Sequence, residues 1–153
     1  MITMSSSSIT KAPPESSLIA AVQETLHFLE PLKDKTFVVK LGGSTLENQR
    51  AVLQDLIHLH TLGARIVLVH GGGPYITDWL HRLGISTRFE QGMRITDEQT
   101  LEVARMVLCG EINAQLVSMM SYMCGRAVGL NGMDNNMLRS HIIDPRLGLV
   151  LSL

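Results

Sequence analysis

VVKLGGS (residues 38–44) and VLVHGGGP (residues 67–74) decide how this chain folds. Each is a short run of aliphatic, largely β-branched residues that stops at consecutive glycines, and apolar residues at three- and four-residue steps follow each. The first run opens at Thr36; the helix after it is predicted from Glu47 to Leu62 through Val52, Leu53, Leu56, Ile57 and Leu59. Gly63 then stands where a left-handed cap ends a helix. The second run, Arg65 to Val69, leads through His70 and three glycines into a helix carrying Ile76, Trp79, Leu80 and Leu83 on one side. Strand, glycine loop and helix, twice over, predict an α/β fold in which a mainly parallel sheet, its strands buried on both faces, is sandwiched between helices. Ligands of such sheets bind at the carboxyl ends of the strands, where both glycine loops fall.

Outward from these units the pattern is less regular. Towards the N-terminus, Leu18, Ile19, Val22, Leu26 and Leu29 predict an amphipathic helix over 17–32, and residues 1–16, rich in serine, read as a disordered tail. After the second unit, TRFEQGMRIT (87–96) reads as two short strands around Gln91-Gly92. Thr96 to Gln99 has the form of a capping box, launching a helix with Leu101, Ala104, Met106, Val107 and Leu108. A further helix is expected from Ile112 to Cys124, then a third core strand at Arg126 to Leu130, a turn at Asn131-Gly132, and a weak strand with loops. Residues 33–153 thus form one domain.

Composition narrows the function. The chain has 153 residues, 45% of them apolar, and 13 Lys+Arg against 14 Asp+Glu leave a formal charge of −1. Scattered basic residues give no footprint for nucleic acid or an anionic membrane, and no apolar run is long enough to span a bilayer. Cys109 and Cys124 form neither a disulfide framework nor a structural zinc motif. With no signal-peptide core at the start, a reduced, cytoplasmic setting is expected.

Three positions carry charge or close approach to the strand ends. Lys40 lies in the last turn of its strand before Gly42 and Gly43, where glycine N–H groups can cradle phosphate oxygens. Its ammonium either faces such an anion or snorkels into water from a frayed strand end. The three glycines 71–73 open a helix whose free N–H groups and dipole suit a phosphate or carboxylate; a tight strand-to-helix turn is the alternative. Arg94, in the hairpin, is a natural carboxylate partner if it reaches over the same strand ends, and otherwise a solvated charge. His70 is either a base or structural. No metal-ligand cluster is expected.

These motifs, with LGI…F…GMRITDEQTLEV (83–103), VLCGEIN (107–113) and AVGLNGMD (127–134), resemble the amino acid kinase family over nearly everything from Ser17 to Leu138. Within it they resemble most the branch that phosphorylates the side-chain carboxylate of N-acetyl-L-glutamate in arginine biosynthesis. The resemblance implies an amino acid kinase-like fold and ATP with Mg2+ as cofactor. It implies that Lys40 stabilises the transferring phosphoryl group and that Gly42 and Gly43 bind ATP phosphates. Gly71 and Gly72 would hold the acylamino acid through backbone N–H groups, and Arg94 would clamp its α-carboxylate. It also implies a homo-oligomer, a dimer that the N-terminal helix extends to a hexamer, and admits a PII-type regulator.

The family's nucleotide-binding half has no counterpart in this sequence, so the domain is expected to be C-terminally truncated. Met133 stands where a lysine is common, and Asn135-Asn136 replaces a more glycine-rich turn. Two other readings follow: a catalytically silent binding or oligomerisation module, and a kinase for a related acidic substrate such as an aminoadipate derivative.

Overall fold

A computed structural model describes residues 15–42 and 49–152, so Gly43 and most of the expected tail lie outside the described residues. Helix α1 (Glu15–Leu29) ends ahead of Pro31 and passes through a single 3-10 turn into strand β1 (Thr36–Leu41). Helix α2 (Gln49–Thr61) then crosses to strand β2 (Arg65–His70), and Gly63, at φ +97°, reverses the chain between them as its position suggested. The two strands are parallel and in register from Thr36 opposite Arg65 to Leu41 opposite His70. Their carboxyl ends therefore finish side by side, and the protein is α/β, as expected.

One face of this sheet packs and the other does not. Leu41 joins Leu53 of α2 and Ile76 and Leu80 of α3 (Gly73–Arg82) in a single core, with Leu68 packed against it. On the opposite face Val38 is 70% exposed, with Val67 and Val69 about half exposed beside it. The apolar neighbours that break the alternation of both strands led to an expectation of burial on both faces; in this chain they form an open apolar surface.

After α3 a two-residue hairpin, β3 (Phe89–Glu90) and β4 (Met93–Arg94), turns at Gln91 and Gly92, both with positive φ. That geometry matches the right-handed twist of the flanking strands and favours a glycine in the turn. The expected hairpin is therefore present. The next helix is capped by Asp97, whose carboxylate accepts the Thr100 N–H at 2.8 Å, and not by Thr96. Hydrogen bonding from Thr100 holds the Asp97 carboxyl below its ordinary pKa.

The two helices expected after the hairpin form one rod: α4 (Glu98–Arg105), a π-helical segment (Met106–Ile112) and α5 (Asn113–Tyr122). Gly110 does not interrupt it. The rod contributes Val103, Val107, Ile112 and Leu116 to the core. It stops at Cys124, which takes the left-handed conformation (φ 62°) that the expected end at Gly125 would have left to glycine.

Arg126 to Leu130 joins no sheet, contrary to the expected third strand. A cavity of about 330 Å³, lined by Ile66 and Leu68 on one side and Arg126 to Val128 on the other, separates it from β2. It lies against the helices instead. A β-carbon on Gly125 would come within 2.8 Å of Ile57, and one on Gly129 within 2.7 Å of the Asn113 side chain.

The C-terminal residues are integrated. Beyond the Asn131-Gly132 turn, β5 (His141–Ile142) and β6 (Leu151–Ser152) pair antiparallel around a 3-10 turn, Pro145–Leu147. Leu147 is buried, and Gly148 forms a parallel bridge with Thr96. Among the described residues no helix is long and apolar enough to cross a membrane.

Candidate anion site at the strand ends

Arg94, the residue least secured by sequence spacing, is the one the fold places most firmly. Its Nη2 donates to the Thr77 hydroxyl at 2.8 Å and to the Gly73 carbonyl at 3.1 Å, bringing the guanidinium to the N-terminus of α3. The same guanidinium lies 4.7 Å over the Phe89 ring. Phe89 and Arg94 are opposite each other across the hairpin, so the short ladder sets that cation–π contact. Burial pushes the Arg94 pKa below the usual guanidinium value, and its Nη1 is buried without a hydrogen-bond partner among the described residues. A guanidinium does not shed its proton in a protein, so an unpartnered buried nitrogen on it calls for an acceptor.

The glycines divide by role. The Gly71 N–H donates to the Leu41 carbonyl at 3.0 Å, extending the β1–β2 pairing past the strands, and so is not a free donor for a ligand as the resemblance had implied. Gly72 is buried: a β-carbon there would collide with Ile112 Cδ1 and stand 2.8 Å from Leu108 Cδ2. Its close approach is to the π-helical segment. Gly73 has nothing within 4 Å of where a β-carbon would stand, and the first regular bond of α3, from Ile76 N–H to Gly72 O, leaves the earlier N–H groups of the helix outside the ladder. What the junction brings together is thus Gly73, the first N–H groups of α3 and Arg94.

Lys40 is exposed on the open face of β1, opposite Val69, and among the described residues it makes no ion pair. Gly42 follows at the strand end, level with Gly71. His70 is half-buried, with Nδ1 3.3 Å from the Gly71 carbonyl, a structural contact. Sequence reasoning missed Thr77 and Phe89; Thr77 lies one helical turn after Gly73, on the face that a group approaching the helix start would touch. It also missed Glu111, whose carboxylate accepts the Trp79 indole N–H and ties the π-helical segment to α3.

The donors gathered here, a guanidinium and helix N–H groups, suit anionic oxygens. Among the described residues no three His, Cys, Asp or Glu side chains come together as metal ligands. Fold and site together define an α/β protein with a strand-to-helix junction overhung by an arginine-bearing hairpin. Residues 35–149 match the amino acid kinase family, and the chain belongs to it.

Among its relatives, the acetylglutamate kinase of Thermosynechococcus vestitus is 39% identical over 129 residues, covering 82% of this chain and 44% of the relative. That of Prochlorococcus marinus (strain MIT 9215) is 38% identical, covering 89% and 50%. That of Caldanaerobacter subterraneus subsp. tengcongensis is 41% identical, covering 76% and 40%. The chain spans about half or less of the length of these relatives. Among solved structures, an N-acetylglutamate synthase from Neisseria gonorrhoeae, complexed with coenzyme A and N-acetyl-glutamate, superposes with a TM-score of 0.59 at 24% identity. That match covers 82% of this chain and 28% of the synthase, and shows the fold alone.

Proposed function

We propose that residues 33–153 are the acylamino-acid-binding part of an acetylglutamate kinase, acting in arginine biosynthesis in the cytoplasm. The observation that carries this reading is the convergence of the Arg94 guanidinium, with Nη1 buried and unpartnered, on the N-terminus of α3 beside the open space at Gly73. Two positive features facing one point repel each other unless an anion lies between them, and an α-carboxylate meets both. The N–H groups of Gly72 and Gly73 would take a carboxylate or acyl oxygen, while Gly71 shapes the turn.

The chemistry asks little of a general base, because a side-chain carboxylate is already ionised at neutral pH. Its demand is the alignment of two anions and neutralisation of charge on the phosphoryl oxygens. Lys40 supplies a cation at the end of β1 for that purpose, and Gly42 with Gly43 would hold the phosphates. ATP with Mg2+, when bound, supplies the phosphoryl group. Calorimetric titration with N-acetyl-L-glutamate, L-glutamate and N-acetyl-L-aminoadipate tests the reading. Binding of the first, in preference to the other two, is expected; preference for the longer analogue would assign a related substrate, and no heat from any at millimolar ligand would sink the assignment.

A self-association role for α1 is part of the same proposal. Leu18, Ile19, Val22, Leu26 and Phe28 are each more than half exposed, so the helix does not spend its apolar side on its own domain. A second copy is the partner expected to cover it. Sedimentation of the whole chain and of a variant lacking residues 1–30 should give a larger mass per particle, beyond the deleted residues, for the first. The same association state for both would contradict the role.

A further inference from the structure

Arg94 is held from two directions. Its guanidinium meets Thr77, Gly73 and the Phe89 ring; its backbone hangs from Thr96, whose hydroxyl donates to the Arg94 carbonyl at 3.0 Å. Thr96 is in turn gripped by a distant part of the chain: its N–H donates to Leu147 O at 2.9 Å, and its carbonyl accepts the Leu149 N–H at 2.7 Å. We infer that residues 144–149 form a positioning strap, fixing where Arg94 stands and thereby the affinity of the anion site for its carboxylate. The substrate in this inference rests on the reading proposed above.

Gly148 is the centre of the grip. It has φ +72°, and a β-carbon there would collide with the Thr96 carbonyl oxygen and stand 3.0 Å from its carbonyl carbon, so any L side chain pushes the strap away. Leu147, 4% exposed, anchors one side. On the other, Asp144 accepts the Arg146 N–H at 2.9 Å and pairs with Arg146 Nη2 at 2.6 Å, fixing the 3-10 turn that presents Leu147. Hydrogen bonding and charge from Asp144 raise the Arg146 pKa, and the charge of Glu90 in β3 adds to that, so strap and hairpin also attract each other.

A grip of this kind matters because the hairpin is short. Two residues per strand make too few ladder bonds to hold a side chain in place. A cavity of about 160 Å³ between the hairpin (Glu90, Met93) and the strap (Asp144, Arg146, Leu147) leaves room for the hairpin to shift once the bridge is lost. The strap therefore acts on the ligand through Arg94, without touching it.

The test uses the full chain and its Gly148→Ala, Asp144→Ala and Arg94→Ala variants, with two readouts. One is N-acetyl-L-glutamate affinity by calorimetry; the other is the NMR shift of the Arg94 side chain, which the Phe89 ring current marks. Gly148→Ala is expected to weaken binding by about tenfold or more and to move the Arg94 resonance, while amide protection at Leu80 and Val107 stays unchanged. Asp144→Ala, on the exposed side of the strap, should do the same to a smaller degree, and it carries the test if Gly148→Ala does not fold. An unmoved Arg94 resonance with wild-type affinity in a folded strap variant would overturn the strap. Absence of binding by the wild type would overturn the substrate reading instead, and the resonance alone then decides for or against the strap.

Discussion

Replacing Arg94 by alanine is expected to remove N-acetyl-L-glutamate binding from this chain. Truncating one partner of a desolvated, hydrogen-bonded charge pair costs about 2–5 kcal/mol, or roughly 30-fold to several thousand-fold in affinity. The upper part of that range applies if both guanidinium edges are engaged: Nη2 is already fixed to Thr77 and Gly73, and Nη1 is buried with no partner among the described residues. Arg94→Lys keeps the charge but loses the planar fork, so it should recover only a fraction. Arg94 is outside the apolar core cluster, so far-UV circular dichroism of both variants should match the wild type. Equal affinities of wild type and Arg94→Ala would remove the basis for a carboxylate site at α3.

The second expectation concerns turnover: the 153-residue chain by itself should transfer no phosphoryl group measurably above background. Phosphoryl transfer is accelerated by several positioned charges acting as a unit, and losing part of the set is far from additive. In the function proposed above, Lys40, Gly42 and the Arg94 site would supply one side of such a set. Related acetylglutamate kinases are about twice as long as the stretch matched here, which leaves the rest of their chain to supply the other side. A coupled ADP-release assay with N-acetyl-L-glutamate, run beside Lys40→Ala, measures this directly. Turnover that disappears in Lys40→Ala would show that the chain is catalytically sufficient. The exposed valines of the sheet face should also make it prone to association in such an assay.

Local chemistry was the legible part of the sequence. Gln91-Gly92 required a hairpin and Gly63 a left-handed reversal because few residues tolerate those backbone angles, and both are present. The register of β1 with β2 follows from two similar runs ending in glycine, and it brings the two loops together. What depends on neighbours was not legible. Val38, Val67 and Val69 read as buried because apolar content says nothing of whether a covering layer exists. Arg126 to Leu130 has the composition of a core strand, yet the backbone is held against α2 and α5 at Gly125 and Gly129.

The rod was misread as two helices because a π-helical segment keeps helical dihedrals through Gly110 while altering the hydrogen-bond spacing, which no periodicity of 3.6 can announce. At the site, glycine content correctly marked a close approach but not its partner. For Gly72 the partner is the protein itself, and only at Gly73 is the space open. The hairpin alone left Arg94 open between a reach over the strand ends and a solvated charge, and its fastening through Thr96 depends on residues whose pattern carries no signal of their own.

The bridge between Thr96 and Gly148 also sets an order of events during synthesis. Closing so long a loop has an entropic cost that only the completed contact offsets, so the bridge follows the local pairings that precede it in the chain. By the time residue 149 leaves the ribosome, β1, β2, the hairpin and the whole helical rod have already emerged and can have packed. For that interval the hairpin must keep its place with two-residue strands and the contacts of Arg94 with α3. Arg94 is therefore fastened through Thr96 only after the core elements that precede the strap have been made.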